Sequence, residues 1–455
     1  MRKSAINLLG QTMSTTSRDR SWTVWGLIFI AAGYASASHA AEFIPINDQT
    51  VLGHASSIFS NSYNITAISG DGTVVAGSSH AVGAIYDCAR FDCGSGGFAY
   101  SLKDRERVIL EGSPRTDTYI GGAPVSVRDL SYDGQQALLL GEYRHYESYL
   151  STPQGENYLR DNIVVGDYLS ASSMSSDGGV IVGVHGSSGF VWTEQTGLQP
   201  APVVDPEVNF IPSQVSGDGT TMLLSDSDYF LSIVNPLVLS VLASNEWSQR
   251  AAVWHDSGES YQLTPVEGNE HLSVTRLSED GTAVIGSSYN YLPSTSNQIR
   301  LSVPTVWRDG IASELPLPAG FESGSAIGVS GDGGTIVGNA ILEVKDYPLF
   351  VNVDMQTDLL LDNRAVIWRD GQLHILQDWL SDEWGLAEEL EGWTLTSAAA
   401  ISANGQTIAG AGVNPDGEYA SWVVTLPVPE PGACGLLAAS LLAFALYRWP
   451  RTKAA

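Results

Sequence analysis

Val329-Ser330-Gly331-Asp332-Gly333-Gly334-Thr335-Ile336-Val337-Gly338 reads as a β-hairpin. An apolar residue leads into serine, Asp-Gly supplies a tight turn with positive φ, and a β-branched run returns as the second strand. The pattern recurs at Ser69-Gly70-Asp71-Gly72, Ser131-Tyr132-Asp133-Gly134, Ser175-Ser176-Asp177-Gly178, Ser216-Gly217-Asp218-Gly219, Ser278-Glu279-Asp280-Gly281 and Ser402-Ala403-Asn404-Gly405. Seven copies define a repeat architecture. Five copies keep a glycine eight residues after the serine, while the second and fourth carry Leu139 and Leu224 there. The Ser and Asp side chains are expected to cap backbone groups of their own turns. Calcium takes six or more oxygens, which one carboxylate per turn does not supply, so no metal is expected.

A second element alternates with the first. Phe98, Phe190, Trp254, Trp307 and Trp368 each lie in a short aromatic-containing strand, usually followed by a glycine turn (Gly197, Gly258, Gly310, Gly371) and a closing apolar stretch such as Leu315-Pro316-Leu317-Pro318. Two hairpins bring each repeat to four strands, with the tryptophans read as packing between repeats. Serine-to-serine intervals run from 41 residues (Ser175 to Ser216) to 72 (Ser330 to Ser402), the shortest matching one propeller blade. Asp228–Arg250, Tyr289–Val303 and Ile341–Asn363 are read as inserted loops. The fold expected is all-β, a seven-bladed β-propeller of four-stranded blades over residues 42–427, with a two-sheet or open solenoid as the alternative. After the seventh hairpin only one strand remains, Tyr419–Leu426, so the orphan segment Glu42-Phe43-Ile44-Pro45-Ile46 is expected to close the last blade and remove the exposed edge. Leu373–Leu390 places Leu376, Trp379, Leu380, Leu386 and Leu390 near helical spacing and is read as a short amphipathic helix.

Hydrophobic residues make up 43% of the 455-residue chain, enough for a sizeable core, and charged residues only 16%. Acidic residues outnumber basic ones by 50 to 22, a net charge of −28. The basic residues gather at the ends. Setting aside +3 over Met1–Ala41 and +2 over the tail from Val428 leaves the middle at −33. Such a surface repels nucleic acid. Cys88 and Cys93 form either a local disulfide or two free thiols; the third cysteine, Cys434, is remote, and no metal-ligand spacing accompanies them.

The two ends read as addresses. Met1–Asp19 carries positive charge, Trp22–Tyr34 is apolar and Ala35–Ala41 is small, the order of a secretory signal peptide over residues 1–40 with cleavage after Ala40. The start is Met1 or Met13, and an uncleaved anchor is the alternative. At the other end, residues 428–455 open on Val428-Pro429-Glu430-Pro431. An apolar run, Gly432–Tyr447, follows and reads as a short transmembrane helix, with Arg448, Arg451 and Lys453 as a basic stop.

Val428–Lys453 resembles the PEP-CTERM sorting tail of Gram-negative bacteria. The resemblance implies processing at Pro-Glu-Pro by an exosortase-type enzyme, membrane attachment or release at the outer surface, and a frequent association with exopolysaccharide. Phe43–Leu426 resembles the HAF-type extracellular repeat proteins, most closely over Gly392–Gly410 with Asn414-Pro415-Asp416-Gly417 and Trp422. That likeness implies an exported repeat domain without an established activity.

No nucleophile elbow, zinc-protease helix, phosphate loop or dinucleotide fingerprint occurs, and no catalytic residue or cofactor is expected. The densest mixture of aromatic and charged groups is the loop containing Tyr143, Arg144, Tyr146 and Glu147, a candidate sugar-binding loop weighed against a solvated blade loop. The function expected is a surface- or matrix-associated, non-catalytic binding or scaffold module. The alternative is a propeller carbohydrate-active enzyme with two carboxylates at the channel mouth, which glycosidic chemistry places roughly 5–10 Å apart.

Overall fold

A computed structural model describes residues 40–46, 61–81, 96–108, 125–141, 147–152, 155–158, 169–226, 249–292, 299–344 and 363–427. Residues 1–39 of the segment read as a signal peptide, the cysteine pair Cys88 and Cys93, Tyr143, Arg144 and Tyr146, and the tail residues Val428, Pro429, Glu430, Pro431, Arg448, Arg451 and Lys453 lie outside them. No helix among the described residues is long and apolar enough to cross a membrane.

The described strands form seven antiparallel four-stranded sheets. Blade 1 runs from Asn61 to Val108, blade 2 from Val125 to Tyr158, blade 3 from Leu169 to Pro200 and blade 4 from Phe210 to Gln262. Blade 5 runs from His271 to Glu314, blade 6 from Ser323 to Ile375, and blade 7 from Thr394 to Thr425. The first strands of consecutive blades contact one another in a complete circle, blade 7 returning to blade 1, so they line the axis. Glu42–Ile46 pairs antiparallel with Tyr419–Thr425 (Glu42 opposite Thr425, Ile46 opposite Ser421) and supplies the outer strand of blade 7. The chain is a seven-bladed β-propeller closed by its N-terminal strand.

The core is divided among the interfaces. Seven hydrophobic clusters each join two consecutive blades, for example Val337 and Ile367 of blade 6 with Leu395 and Trp422 of blade 7. The third-strand aromatics serve here: Trp307, Trp368 and Trp422 are buried, and the indole N–H groups of the first two donate to Thr264 O and Pro316 O of the preceding segments. Phe43 of the closing strand packs edge-on to Trp393 and stacks on Trp422, tying both chain ends into one cluster.

Three sequence expectations need correction. The helix α1 spans only Leu376–Trp384, because Gln372–Ile375 continues as the outer strand of blade 6 and Gly385, in the left-handed region at φ 71°, stops the helix. Leu386 and Leu390 still reach the same core from the turns that follow. Tyr289–Val303 is mostly not a loop: the middle strands of blade 5 extend to Leu292 and resume at Ile299, with Tyr291 opposite Arg300. The outer strand of that blade is Ile311–Glu314, and Leu315 and Leu317 instead pack into the interface with blade 6.

Candidate functional site

The Ser-x-[Asp/Asn]-Gly turns are one structure repeated seven times. Each serine is at most 2% exposed. Its hydroxyl donates to the Asp or Asn Oδ1 two residues on, at 2.6–2.8 Å. The same oxygen accepts the backbone N–H five residues on, at 2.9–3.0 Å, where the second strand begins. The Asp or Asn Oδ1 accepts a further backbone N–H at 2.8–3.0 Å. The turn glycines have φ between 67° and 78°, where a Cβ would be strained. These side chains are consumed by their own turns.

The turns also join each other. Around the axis, one backbone N–H of each turn donates to the carbonyl of the residue after the serine in the next blade. The bonds run Asp71 to Tyr132, Tyr132 to Ser176, Ser176 to Gly217, Gly217 to Glu279, Asp280 to Gly331, Gly331 to Ala403 and Asn404 to Gly70, at 2.7–3.0 Å. Seven bonds close the circle. Deeper along the axis every first strand carries a β-bulge three residues before its serine. Three bulge hydroxyls donate to the next blade: Thr66 to Val127 O, Ser172 to Pro212 O and Thr275 to Ala326 O. The glycine eight residues after the serine faces this bulge. A Cβ on Gly77, Gly286, Gly338 or Gly410 would stand 2.0 Å from a carbonyl oxygen of the first strand.

Polar side chains meet on one side of the axis. Asp129 accepts from Leu130 N–H, Ser173 Oγ and Met174 N–H at 2.9–3.0 Å, and Gln214 does the equivalent work toward Thr275 and Leu277 at 2.6–2.7 Å. Burial pushes the Asp129 carboxyl upward, against those hydrogen bonds and the positive charge of Arg276. Ser176 Oγ donates to Glu279 at 2.6 Å over Gly217, which has no side chain in the way. Glu279 is likewise raised, by burial and by the negative charge of Asp129. Both carboxylates hold blades together through these bonds. Sequence reasoning missed them, although aligning the repeats on the serine exposes Asp129 in the column Ala67, Asp129, Ser173, Gln214, Arg276, Gly328, Ala400, two residues before it, and Glu279 in the column one residue after it.

Antiparallel blades place all seven repeat turns, and the third-to-fourth strand turns, at one end of the propeller. The second-to-third strand connections and the crossings between blades lie at the other. Glu147 opens the third strand of blade 2 there. In blade 4, Arg250 pairs with Asp226, and the buried Gln249 bonds Ser225 and, in blade 5, Val274. On the extended hairpin of blade 5, Arg300 lies over the rings of Tyr289 and Tyr291, 4.7 and 5.5 Å from their centroids, and His271 stacks on Tyr289.

At the rim of the same end, α1 and the outer strand of blade 6 enclose a groove of about 360 Å³. Leu373, Ile375, Pro318 and the half-buried Trp379 supply its apolar surface, and Asp378, Asp382 and Glu383 of α1 its polar edge. Trp379 is held edge-on to Trp384 at 5.7 Å, with His374 at 6.4 Å and the Arg369 guanidinium at 5.9 Å.

No family model matches the chain, and no curated protein does. Among solved structures it is similar to the hydrazine synthase of Kuenenia stuttgartiensis, at 12% identity over 83% of this chain and 98% of that one, TM-score 0.43. It is also similar to TolB of Acinetobacter baumannii, at 13% identity over 84% and 86% of the two chains, TM-score 0.33. The blade count and closure rest on the strand pairing of this chain itself.

Proposed function

We propose that the protein is an exported, surface- or matrix-associated propeller that binds or scaffolds without catalysis, sorted through its PEP-CTERM-like tail by an exosortase-type enzyme. The observation that carries this reading is the position of the chain ends. Glu42 and Thr425 are paired neighbours at the turn end, and the Leu426 N–H donates to Gln406 O of the seventh repeat turn. Both chain ends of the propeller are thus fixed at the turn end, which suits a module whose opposite end carries the connections of varied length. Export through the signal-like segment 1–40 and a membrane stop at Arg448, Arg451 and Lys453 complete the route. Exopolysaccharide or another surface glycan is the partner class that suits such a module. The axial carboxylates Asp129 and Glu279 support binding over glycosidic catalysis, because their oxygens already serve other blades, Asp129 the next one and Glu279 the next but one.

The test replaces Pro429, Glu430 and Pro431 with alanine in the full chain. Fractionation and intact mass are then compared with the unaltered protein. The expected outcome is a variant of higher mass retained in the membrane fraction. Unchanged mass and distribution would sink the sorting route.

A further inference from the structure

We infer that the groove between α1 and the outer strand of blade 6 is a saccharide subsite for a pyranose unit bearing a free amine, which deepens the binding reading above and rests on it. Three observations converge. The groove, at about 360 Å³, falls within the roughly 300–1,000 Å³ of ligand-binding clefts. Its surface is divided as a sugar ring is divided. Trp379, Pro318 and Leu373 supply apolar lining for the C–H face of a pyranose, and Asp378, Asp382 and Glu383 supply carboxylates for the ring's polar substituents. The three carboxylates are exposed and have no hydrogen bond or ion pair among the described residues, so their acceptor capacity is unspent. Trp379 is also oriented before any ligand arrives, by Trp384, His374 and Arg369.

Charge selects the sugar. Three carboxylates on a chain of net charge −28 attract an ammonium group and repel uronates and sulfated sugars. An ammonium on the ring adds charge-assisted hydrogen bonds that a hydroxyl or acetamide does not. A lysine-rich peptide carries the same charge but has no ring for the apolar patch, and the patch is what favours the saccharide.

The experiment titrates the exported protein with four probes: a glucosamine tetrasaccharide, its fully N-acetylated counterpart, a tetragalacturonate and tetralysine. Binding is read by tryptophan fluorescence and calorimetry. The expected result is binding of the glucosamine oligomer at least about tenfold tighter than the acetylated one, a difference of about 1.4 kcal/mol. The galacturonate and tetralysine should not compete. W379A should lose binding of both saccharides, and D382N/E383Q should erase the preference for the amine, each variant melting as the parent does. No saccharide binding at millimolar concentration, tighter binding of tetralysine, or an unaltered W379A would overturn the inference. Failure here with normal export leaves the sorting proposal standing, and failure of sorting with intact binding does the reverse.

Discussion

At the turn end, seven buried serines make the same set of hydrogen bonds, and seven backbone bonds link the turns into a circle. At the loop end, the second-to-third strand connection is a two-residue turn at Gly186-Ser187 in blade 3, but it extends from Leu342 to residue 362 in blade 6. The contrast has a physical cause. A turn that satisfies its own polar groups and those of its neighbour cannot change length without leaving buried donors unpaired. A connection that leaves the blade after its hydrogen bonds are complete meets only closure entropy, which grows slowly with length. Invariance at one end therefore permits variation at the other.

Five changes would break or sharpen this comparison. Deleting Glu42–Ile46 should have the largest effect, because it opens the circle and uncovers the surface against which Phe43, Ile44 and Ile46 are buried. At about 1.5–3 kcal/mol per buried side chain, the loss is on the order of 5 kcal/mol. Thermal unfolding should become broad and begin well below that of the full chain. Next come two glycines of opposite setting. G338A drives a Cβ to 2.0 Å from Ser325 O and should cost about 3 kcal/mol. G186A at the loop end has nothing within 4 Å and only its φ of 63° to strain, about 1 kcal/mol. Equal losses in denaturant titrations would refute the contrast between the ends.

S330A should cost about 1–3 kcal/mol in the same titration, since the Thr335 N–H loses its side-chain acceptor and Asp332 loses a donor. The smallest effect belongs to D332N. Asn404 already performs this role in blade 7, so stability at neutral pH should change by no more than about 0.5 kcal/mol. The acid limb should change more visibly. Hydrogen bonds from Ser330 and the Gly334 N–H hold the Asp332 carboxyl below the ordinary carboxylate value, and those from the Gly179 N–H and Ser175 do the same for Asp177. At Asp218 partial burial pushes upward, but bonds from Ser216 and Thr220 outweigh it. A carboxyl lowered on folding stabilises the fold above its unfolded value, and that contribution is lost as pH falls through the folded value. D332N should thus flatten part of the stability decline below the ordinary carboxylate range, checked by melting temperature against pH.

Much of the fold was legible because its determinants are local. Asp332 and Gly333 specify their turn wherever they stand, and the leftover strand at Glu42 could be matched to the blade lacking one. The helix boundary was less legible: Leu373 and Leu376 have helical spacing, yet Leu373 pairs across to Trp368 in a strand. The groove was not legible at all, because Trp379 and Leu373 meet Pro318 only after blades 5 and 6 pack.

The sequence by itself determined the number of blades, the chemistry of the repeated turns and the need for a closing strand, since each depends on contacts within a few residues or on counting strands. The tertiary structure alone decided that the turns bond into a circle around the axis, that Asp129 bonds the next blade and Glu279 the next but one, and that both propeller termini leave at the turn end. Those facts depend on which residues of different blades face one another, and circular packing sets that where local patterning does not.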